Sequence, residues 1–270
     1  MSTPTTRVAF HTMGCKTNFS ETSTISREMM AYGLQQVSFR DTADVYVLNS
    51  CSVTENADKE ARKLIRQARR RNPDATVAVI GCYAQLQPDE IAAIPGVELV
   101  VGAAEKFNLF AHLSSLKANG KATVIQSPIG TVQSFQPSFS AAERTRTYLK
   151  IQDGCDYNCS FCTIPLARGR SRSDNIENTV NIAQQIAATE AREIVLTGVN
   201  IGDYGASGDE NLFKLIQALD NVDGIDRFRI SSIDPICSAM RSSPFVRIQR
   251  SLCLISIFHS SRVRIPFYGA

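Results

Sequence analysis

The stretch that decides the fold is LKIQDGCDYNCSFCTIPLARGRSRS, residues 149–173. It begins within a strand predicted from Tyr148 to Gln152 and continues with Cys155, Cys159 and Cys162 in a C-x3-C-x2-C pattern. Three thiolates on one tight loop can hold three irons of a four-iron cluster, because soft sulfur ligands suit iron–sulfur chemistry. The fourth iron then has no protein ligand within the loop. We therefore predict a cluster with one open iron at these cysteines, called here the barrel triplet.

An open iron can chelate the amino and carboxylate groups of S-adenosylmethionine (SAM) and pass one electron to its sulfonium. The barrel triplet is therefore predicted to be both metal-binding and catalytic. A zinc site that lacks its fourth ligand, or three unrelated thiols, is the alternative interpretation of the same spacing. The strand before the loop and the aromatic Phe161 before the last cysteine favour the iron–sulfur interpretation.

Strands and helices alternate on both sides of this stretch, which predicts an α/β protein with parallel sheets. Before the stretch, the predicted strands are Val8–Thr12, Val45–Asn49, Thr76–Ile80 and Glu98–Val101. The helices between them are predicted at about Ser20–Gly33 and Asn56–Asn72, with a short one after Pro88. After the stretch, the predicted elements are a helix at Asn175–Thr189, a strand at Glu193–Val199, a helix at Leu212–Leu219 and a strand at Phe228–Ile233. This second run of units is typical of a (β/α) barrel.

Three more cysteines each end a predicted strand of the first run, in RVAFHTMGC, VYVLNSC and TVAVIGC. They are Cys15, Cys51 and Cys82, called here the amino-terminal triplet. The carboxyl ends of parallel strands lie along one edge of a sheet, where open α/β folds place their ligands, so the three thiols can converge. Gly14 and Gly81 directly precede two of them and would let the backbone approach a bulky ligand. The alternative is three buried thiols packed as small hydrophobic groups.

The chain is predicted to divide into four segments. Residues 1–124 form an α/β domain with a parallel sheet, and residues 125–146, rich in Ser, Gln, Pro and Thr, form a linker. Residues 147–235 form a partial radical SAM barrel with three recognisable strands. Residues 236–270 contain five Arg, seven Ser and two Cys but no Asp, Glu, Lys or Asn. We interpret them as an atypical tail that arose by out-of-frame translation or another alteration, which reading the coding DNA in the other two frames would test.

Four motifs together resemble the radical SAM methylthiotransferases over about residues 7–235. They are GCKTN around Cys15, NSCSV around Cys51, GCYAQ around Cys82 and the stretch at residues 149–173. GCK in the first motif and LTGVNIGDYG at residues 196–205 are most similar to the branch that acts on N6-threonylcarbamoyladenosine at position 37 of tRNA. Branches that act on isopentenyladenosine of tRNA and on ribosomal protein S12 stay open as alternatives.

The resemblance implies SAM and two [4Fe-4S] clusters as cofactors. The cluster on the barrel triplet would cleave SAM, and the cluster on the amino-terminal triplet would hold sulfur and deliver it to C2 of the adenine. Because this C–H group is too weakly acidic for general-base chemistry, the reaction needs a carbon radical. By analogy with the fold, further SAM contacts are expected near the carboxyl ends of barrel strands, from Phe161, Gly198, Ser231 and Ser232.

Charge and resemblance together suggest the partners. A formal net charge of +3 permits a nucleic-acid partner without requiring one. Arg168, Arg170 and Arg172 follow the barrel triplet and are predicted to contact nucleic-acid phosphates. The resemblance implies the anticodon loop of tRNA and an electron donor such as flavodoxin or ferredoxin. We expect a cytoplasmic monomer with no membrane partner, since no apolar run approaches the ~18 residues of a membrane span.

Only part of a barrel is recognisable, which leaves an alternative from a different class. A half-barrel would expose an unpaired strand edge and much of its apolar lining. The alternative is an inactive fragment that binds iron–sulfur or zinc but cannot hold SAM.

Overall fold

The strand Val45–Ser50 is buried at every residue, as expected for a central strand of a parallel sheet with both faces covered. In the computed structural model this strand is the third of a six-stranded sheet formed by the described residues. The structure describes residues 5–51, 55–116, 120–140, 146–206, 208–233 and 252–254, and the side chains of residues 55–58 and 252–254 are left out of the description.

The amino-terminal domain is a parallel sheet with helices on its faces. Its strands are β1 (Arg7–Thr12), β2 (Gln35–Val37), β3 (Val45–Ser50), β4 (Thr76–Gly81), β5 (Leu99–Val101) and β6 (Thr123–Ile125). Its helices are α1 (Lys16–Ala31), α2 (Glu55–Arg71), α3 (Cys82–Leu86), α4 (Pro88–Ala92) and α5 (Leu109–Ser114). The spatial order is β2-β1-β3-β4-β5-β6, and every neighbouring pair is parallel. Apolar cores lie on both sides of this sheet.

The second domain is a mostly parallel sheet with helices, as in part of a (β/α) barrel. Its strands are β7 (Ser138–Phe139), β8 (Arg146–Lys150), β9 (Gln152–Asp153), β10 (Arg172–Ser173), β11 (Glu193–Thr197), β12 (Arg227–Ile230) and β13 (Leu252–Leu254). Its helices are α6 (Ile164–Arg168), α7 (Ile176–Ala187) and α8 (Leu212–Leu219). One sheet runs β13-β12-β11-β8-β7, in which only the pair of β7 with β8 is antiparallel among the described strands, and β9 pairs separately with β10.

Local sequence explains where the barrel helices begin. Asn175 and Asn211 precede α7 and α8, and their side chains accept hydrogen bonds from the backbone N–H groups of Asn178 and Lys214. Such caps satisfy donors that the first helical turn leaves unpaired. The apolar faces of both helices then pack on the barrel strands in one core. No helix among the described residues is long and apolar enough to cross a membrane.

The fold class is confirmed, but the start of α1, the predicted linker and the predicted tail differ from the sequence predictions, and the short strands β2 and β6 were not predicted. Helix α1 begins at Lys16 rather than near Ser20, because Cys15 already has the extended backbone of a residue that precedes a helix. The linker predicted at 125–146 holds strand β7, and β6 crosses its first residue.

The third difference lies in the predicted tail. A fourth parallel barrel strand, Leu252–Leu254, pairs with β12, although only three strands were predicted. Short runs of this kind carry too little periodicity to be recognised in a sequence. The rest of residues 236–270 lies outside the described residues. The interpretation of this segment as an altered tail therefore stays a prediction.

Candidate active site

The amino-terminal triplet lies at the carboxyl edge of the first sheet. Strands β1, β3 and β4 are neighbours there, and Ser50 at the end of β3 is paired with Gly81 at the end of β4. Cys51 follows β3 directly, and Cys82 begins α3 directly after β4. The two cysteines therefore leave adjacent strands at the same level, as the strand-end pattern predicts.

A glycine brings Cys15 beside Cys51. Gly14 has a φ of +91°, and a Cβ added to it would lie 2.7 Å from Sγ of Cys51. The backbone next to Cys15 is therefore in contact with the Cys51 thiol, and only glycine leaves space for this contact in that conformation. Gly81 has a similar role on the other side, since its Cβ would lie 2.4 Å from Oδ1 of Asn49.

Burial and charge distinguish the three thiols. Cys15 is exposed, whereas Cys51 and Cys82 are buried. Burial raises the pKa of the Cys82 thiol, and the cations of Arg168 and Lys106 oppose that rise because they favour the thiolate. The triplet therefore combines an accessible thiol with two shielded ones.

The barrel triplet occupies the loop between β9 and α6. Gly154, with a φ of +71°, turns the chain into this loop, and a Cβ on it would lie 2.0 Å from the carbonyl oxygen of Arg170. The N–H of Cys155 donates to the carbonyl of Gly169 at 3.0 Å, and the N–H of Cys162 donates to that of Cys159 at 3.1 Å. The loop is thus closed on itself and tied to the segment that follows α6.

The three barrel thiols are close enough to influence one another. Burial raises the pKa of the Cys155 thiol, and negative charge on Cys162 and Cys159 adds to the rise. The six cysteines of both triplets are free thiols. Among the described residues, no three Cys, His, Asp or Glu side chains meet closely enough to hold one metal ion. Three thiolates on one loop suit a four-iron cluster, in which each thiolate binds a different iron.

The residues predicted to contact SAM have different environments. Phe161 is 85% exposed in the barrel-triplet loop. Gly198 follows β11 and is closely packed, since its Cβ would lie 2.7 Å from the carbonyl oxygen of Gln152. Ser232 has a φ of +61°, and its carbonyl accepts a hydrogen bond from the N–H of Ile201. For these three residues the predicted role remains a prediction.

The hydroxyl of Ser231 is already paired within the sheet. It is buried and donates to the carbonyl of Leu196 at 3.0 Å. The predicted contact of Ser231 with SAM stays a prediction.

The three arginines predicted to contact phosphates also differ in their exposure and hydrogen-bond partners. Arg170 has an 86% exposed side chain and faces solvent. Arg172 is largely buried and donates to the carbonyl oxygens of Ser134, Arg168 and Arg170. Arg168 is 2% exposed and is surrounded by carboxylate and amide oxygens, an environment that does not favour the predicted contact with nucleic acid.

The sequence reasoning missed the group that surrounds Arg168. This buried charge network consists of Glu21, Lys106, Lys150, Asp153 and Arg168. The only signal in the sequence is the polar first half of α1, KTNFSETS, where a surface helix would show an apolar stripe. That segment is polar because it is buried against other polar groups between the two domains.

Comparisons with known proteins define the class first. The model of the uncharacterized protein family UPF0004 matches residues 7–102, and that of the radical SAM superfamily matches residues 149–249, past the domain end predicted at 235. Two solved structures of the radical SAM methyltransferase TsrM from Kitasatospora setae share the fold. The one with cobalamin and a [4Fe-4S] cluster has a TM-score of 0.50 at 14% identity, covering 93% of this chain and 69% of that one. The one with tryptophan and a SAM analogue has a TM-score of 0.55 at 12% identity, covering 93% and 67%.

Relatives with similar sequences indicate the family within the radical SAM proteins. The threonylcarbamoyladenosine tRNA methylthiotransferase MtaB of Bacillus subtilis is 43% identical over 234 residues, which is 84% of this chain and 51% of that protein. The protein of the same name from Aquifex aeolicus is 39% identical, covering 84% and 56%. A tRNA-2-methylthio-N(6)-dimethylallyladenosine synthase from Jannaschia is 31% identical, covering 86% and 52%.

The chain belongs to the radical SAM methylthiotransferase family, as the resemblance of its cysteine motifs predicted. It spans about half the length of the curated relatives it matches.

Proposed function

We propose that this chain is a radical SAM methylthiotransferase that converts N6-threonylcarbamoyladenosine at position 37 of tRNA to its 2-methylthio derivative. The observation that carries the proposal is the pair of cysteine triplets, one at the strand ends of each domain, on elements that pack against each other through α3 and α6. The substrate is supported by the names of the relatives that are 43% and 39% identical.

In this proposal the barrel triplet holds one [4Fe-4S] cluster, which when bound supplies the electron for the reductive cleavage of SAM. The chain closes the loop that carries the three thiols through Gly154 and through the hydrogen bond from the N–H of Cys155 to the carbonyl of Gly169. Phe161 offers an exposed aromatic face beside the last cysteine, which suits stacking on the adenine of SAM. Gly198 follows β11 on the same edge, where the absence of a side chain lets the chain pack closely against Gln152.

The amino-terminal triplet holds the second [4Fe-4S] cluster, the site of the sulfur that is transferred. Cys15 supplies an accessible thiol, whereas the thiols of Cys51 and Cys82 are buried. The chain contributes to the rate by holding the sulfur and the substrate close together. A reaction between two groups held in the right orientation is faster than one that requires them to meet by diffusion.

The proposed function requires tRNA and an electron donor as partners. Arg170 is the arginine exposed beside the barrel loop, and we propose that it contacts a phosphate of the anticodon loop. The electron comes from a small reduced carrier such as flavodoxin or ferredoxin. The protein acts as a monomer in the cytoplasm.

The test is anaerobic reconstitution with iron and sulfide, followed by incubation with dithionite, SAM and tRNA from a strain that lacks the modification. Release of 5′-deoxyadenosine and formation of the 2-methylthio nucleoside from threonylcarbamoyladenosine are expected. Cys155→Ala should abolish both, whereas Cys51→Ala should retain SAM cleavage and lose methylthiolation. Methylthiolation of isopentenyladenosine or of ribosomal protein S12 alone would refute the proposed substrate. Iron binding without SAM cleavage would instead support the inactive fragment.

A further inference from the structure

The charge network between the two domains is centred on Glu21. This carboxylate on α1 is fully buried and accepts hydrogen bonds from Nζ of Lys106 at 2.6 Å and Nζ of Lys150 at 2.9 Å. It also accepts from Nη1 and Nη2 of Arg168 at 3.1 and 3.2 Å. Lys150 and Arg168 belong to the barrel domain, whereas Glu21 and Lys106 belong to the amino-terminal domain. The network is therefore a contact between domains.

The network carries an excess of positive charge. Asp153 is its second carboxylate and accepts from Arg168 at 2.8 Å and from Lys150 at 3.4 Å. Glu21 and Asp153 thus face the three buried cations Lys106, Lys150 and Arg168, and partly buried Arg172 adds a fourth at 3.4 Å from Asp153. Surplus buried charge is costly unless a nearby group of opposite sign balances it.

The amino-terminal triplet is the nearby group that carries the opposite sign when its thiols are ionised or bind an anionic cluster. Burial lowers the pKa of Arg168, but Cys82 and Cys15 in their thiolate forms, together with the carboxylates of Glu21 and Asp153, outweigh this effect and hold that pKa well above its ordinary value. Arg168 ends α6, which packs against α3, the helix that Cys82 begins. Thiolates or an anionic cluster at this triplet would balance the surplus.

Arg168 also reaches the backbone of the amino-terminal triplet. Its Nη2 donates to Oδ1 of Asn18 at 2.5 Å. The Nδ2 of Asn18 donates in turn to the carbonyl of Met13 at 2.9 Å and to that of Ser50 at 3.1 Å. Met13 lies two residues before Cys15, and Ser50 directly precedes Cys51. A chain of three hydrogen bonds therefore links the residue that ends α6 to the segments that carry two cysteines of the other domain.

We propose that Arg168 is a positioning residue that couples the two cysteine triplets, holding the backbone at Cys15 and Cys51 through Asn18 and supplying positive charge beside Cys82. The charge favours the reduced, more negative state of a cluster bound there. This inference rests on the proposed function for its electrostatic part, because that part requires a cluster at the amino-terminal triplet.

The electrostatic part is tested by the reduction potential of the amino-terminal cluster. The measurement uses the reconstituted chain in which Cys155, Cys159 and Cys162 are replaced by Ala, so that one cluster remains. Arg168→Met should shift the midpoint potential to a more negative value, and Arg168→Lys should keep it near the parent value. Arg66→Met removes a charge from an exposed position on α2 and is the matched control, with no shift expected. An unchanged potential in Arg168→Met, with iron still bound, would overturn the electrostatic part.

The geometric part is tested on the metal-free chain by hydrogen–deuterium exchange. Both Arg168→Met and Arg168→Lys lose the bond to Asn18, so exchange at residues 13–22 should rise about tenfold in both, and not in Arg66→Met. Unchanged exchange would overturn the coupling. If Arg168→Met does not fold, Arg168→Lys decides this point alone. If the parent chain binds no iron at the amino-terminal triplet, the proposed function and the electrostatic part fail together, whereas the exchange result still decides the coupling.

Discussion

Replacing Glu21 by Gln is the sharpest test of the buried charge network. The substitution preserves the size of the side chain but leaves Lys106, Lys150 and Arg168 with Asp153 as their remaining buried carboxylate. Breaking a buried ion pair by removing one partner costs about 3–5 kcal/mol. At roughly 2–4 °C per kcal/mol for a chain near this size, the midpoint of thermal unfolding should fall by roughly 6–20 °C.

The assay is thermal unfolding of the metal-free chain followed by circular dichroism. Glu28→Gln is the matched control, because Glu28 is exposed on the same helix. Surface substitutions of this kind stay within about 0.5 kcal/mol. A loss below about 1 kcal/mol for Glu21→Gln would refute the reasoning, since the buried cations would then not depend on this carboxylate.

The pH dependence of stability provides a second test of the Glu21→Gln prediction. Burial alone would raise the pKa of Glu21, but Arg168, Lys106 and Lys150 hold it well below its ordinary value. Because the folded pKa is depressed, the stabilisation is fully present above the unfolded value of about 4.3 and is lost as the pH falls below it. The stability difference between the parent chain and Glu21→Gln should therefore shrink between about pH 5 and pH 2. A difference that stays constant over this range would contradict the assigned charge state.

Three further predictions concern the cysteine triplets and their surface. Gly154→Ala should lose iron at the barrel triplet on reconstitution, because the new Cβ would lie 2.0 Å from a carbonyl oxygen at a φ of +71°; retention of all iron would contradict the proposed loop geometry. Gly14→Ala should lose iron at the amino-terminal triplet, because its Cβ would lie 2.7 Å from Sγ of Cys51; the barrel triplet, with SAM cleavage, is the internal control and should be unaffected. Arg170→Gln should weaken tRNA binding several-fold in a filter assay and reduce its salt dependence, with the unfolding midpoint unchanged; equal affinity at low salt would refute the phosphate contact.

The alternation of apolar strands with helices, together with the strand-end motifs, predicted most of the amino-terminal sheet. The buried strand Val45–Ser50 has an almost continuous apolar sequence, and the cysteines at strand ends indicated which edge carries the site. Parallel sheets bring such ends together, so the neighbourhood of Cys51 and Cys82 could be predicted from two segments that lie far apart in the chain. The short strands Gln35–Val37 and Thr123–Ile125 could not be predicted, because three residues carry no usable periodicity.

The buried position of Arg168 could not be predicted from the local sequence. Three arginines close together in ARGRSRS look alike as phosphate ligands, yet one is exposed, one donates mainly to backbone carbonyls and one is buried between domains. What separates them is the position of Glu21 and Asn18, which lie about 150 residues earlier in the chain. Such a contact depends on how the two domains pack and leaves no pattern within either segment.

The iron content of the chain tests most directly whether the two triplets hold two four-iron clusters. The chain reconstituted anaerobically should bind about eight irons, and replacing either triplet by Ala should leave about four. The remaining cluster should retain the absorption and electron paramagnetic resonance of a reduced four-iron centre. An iron content of about four in the parent chain, unchanged on removal of one triplet, would contradict the claim. Tight zinc binding without an iron chromophore would contradict it for both triplets.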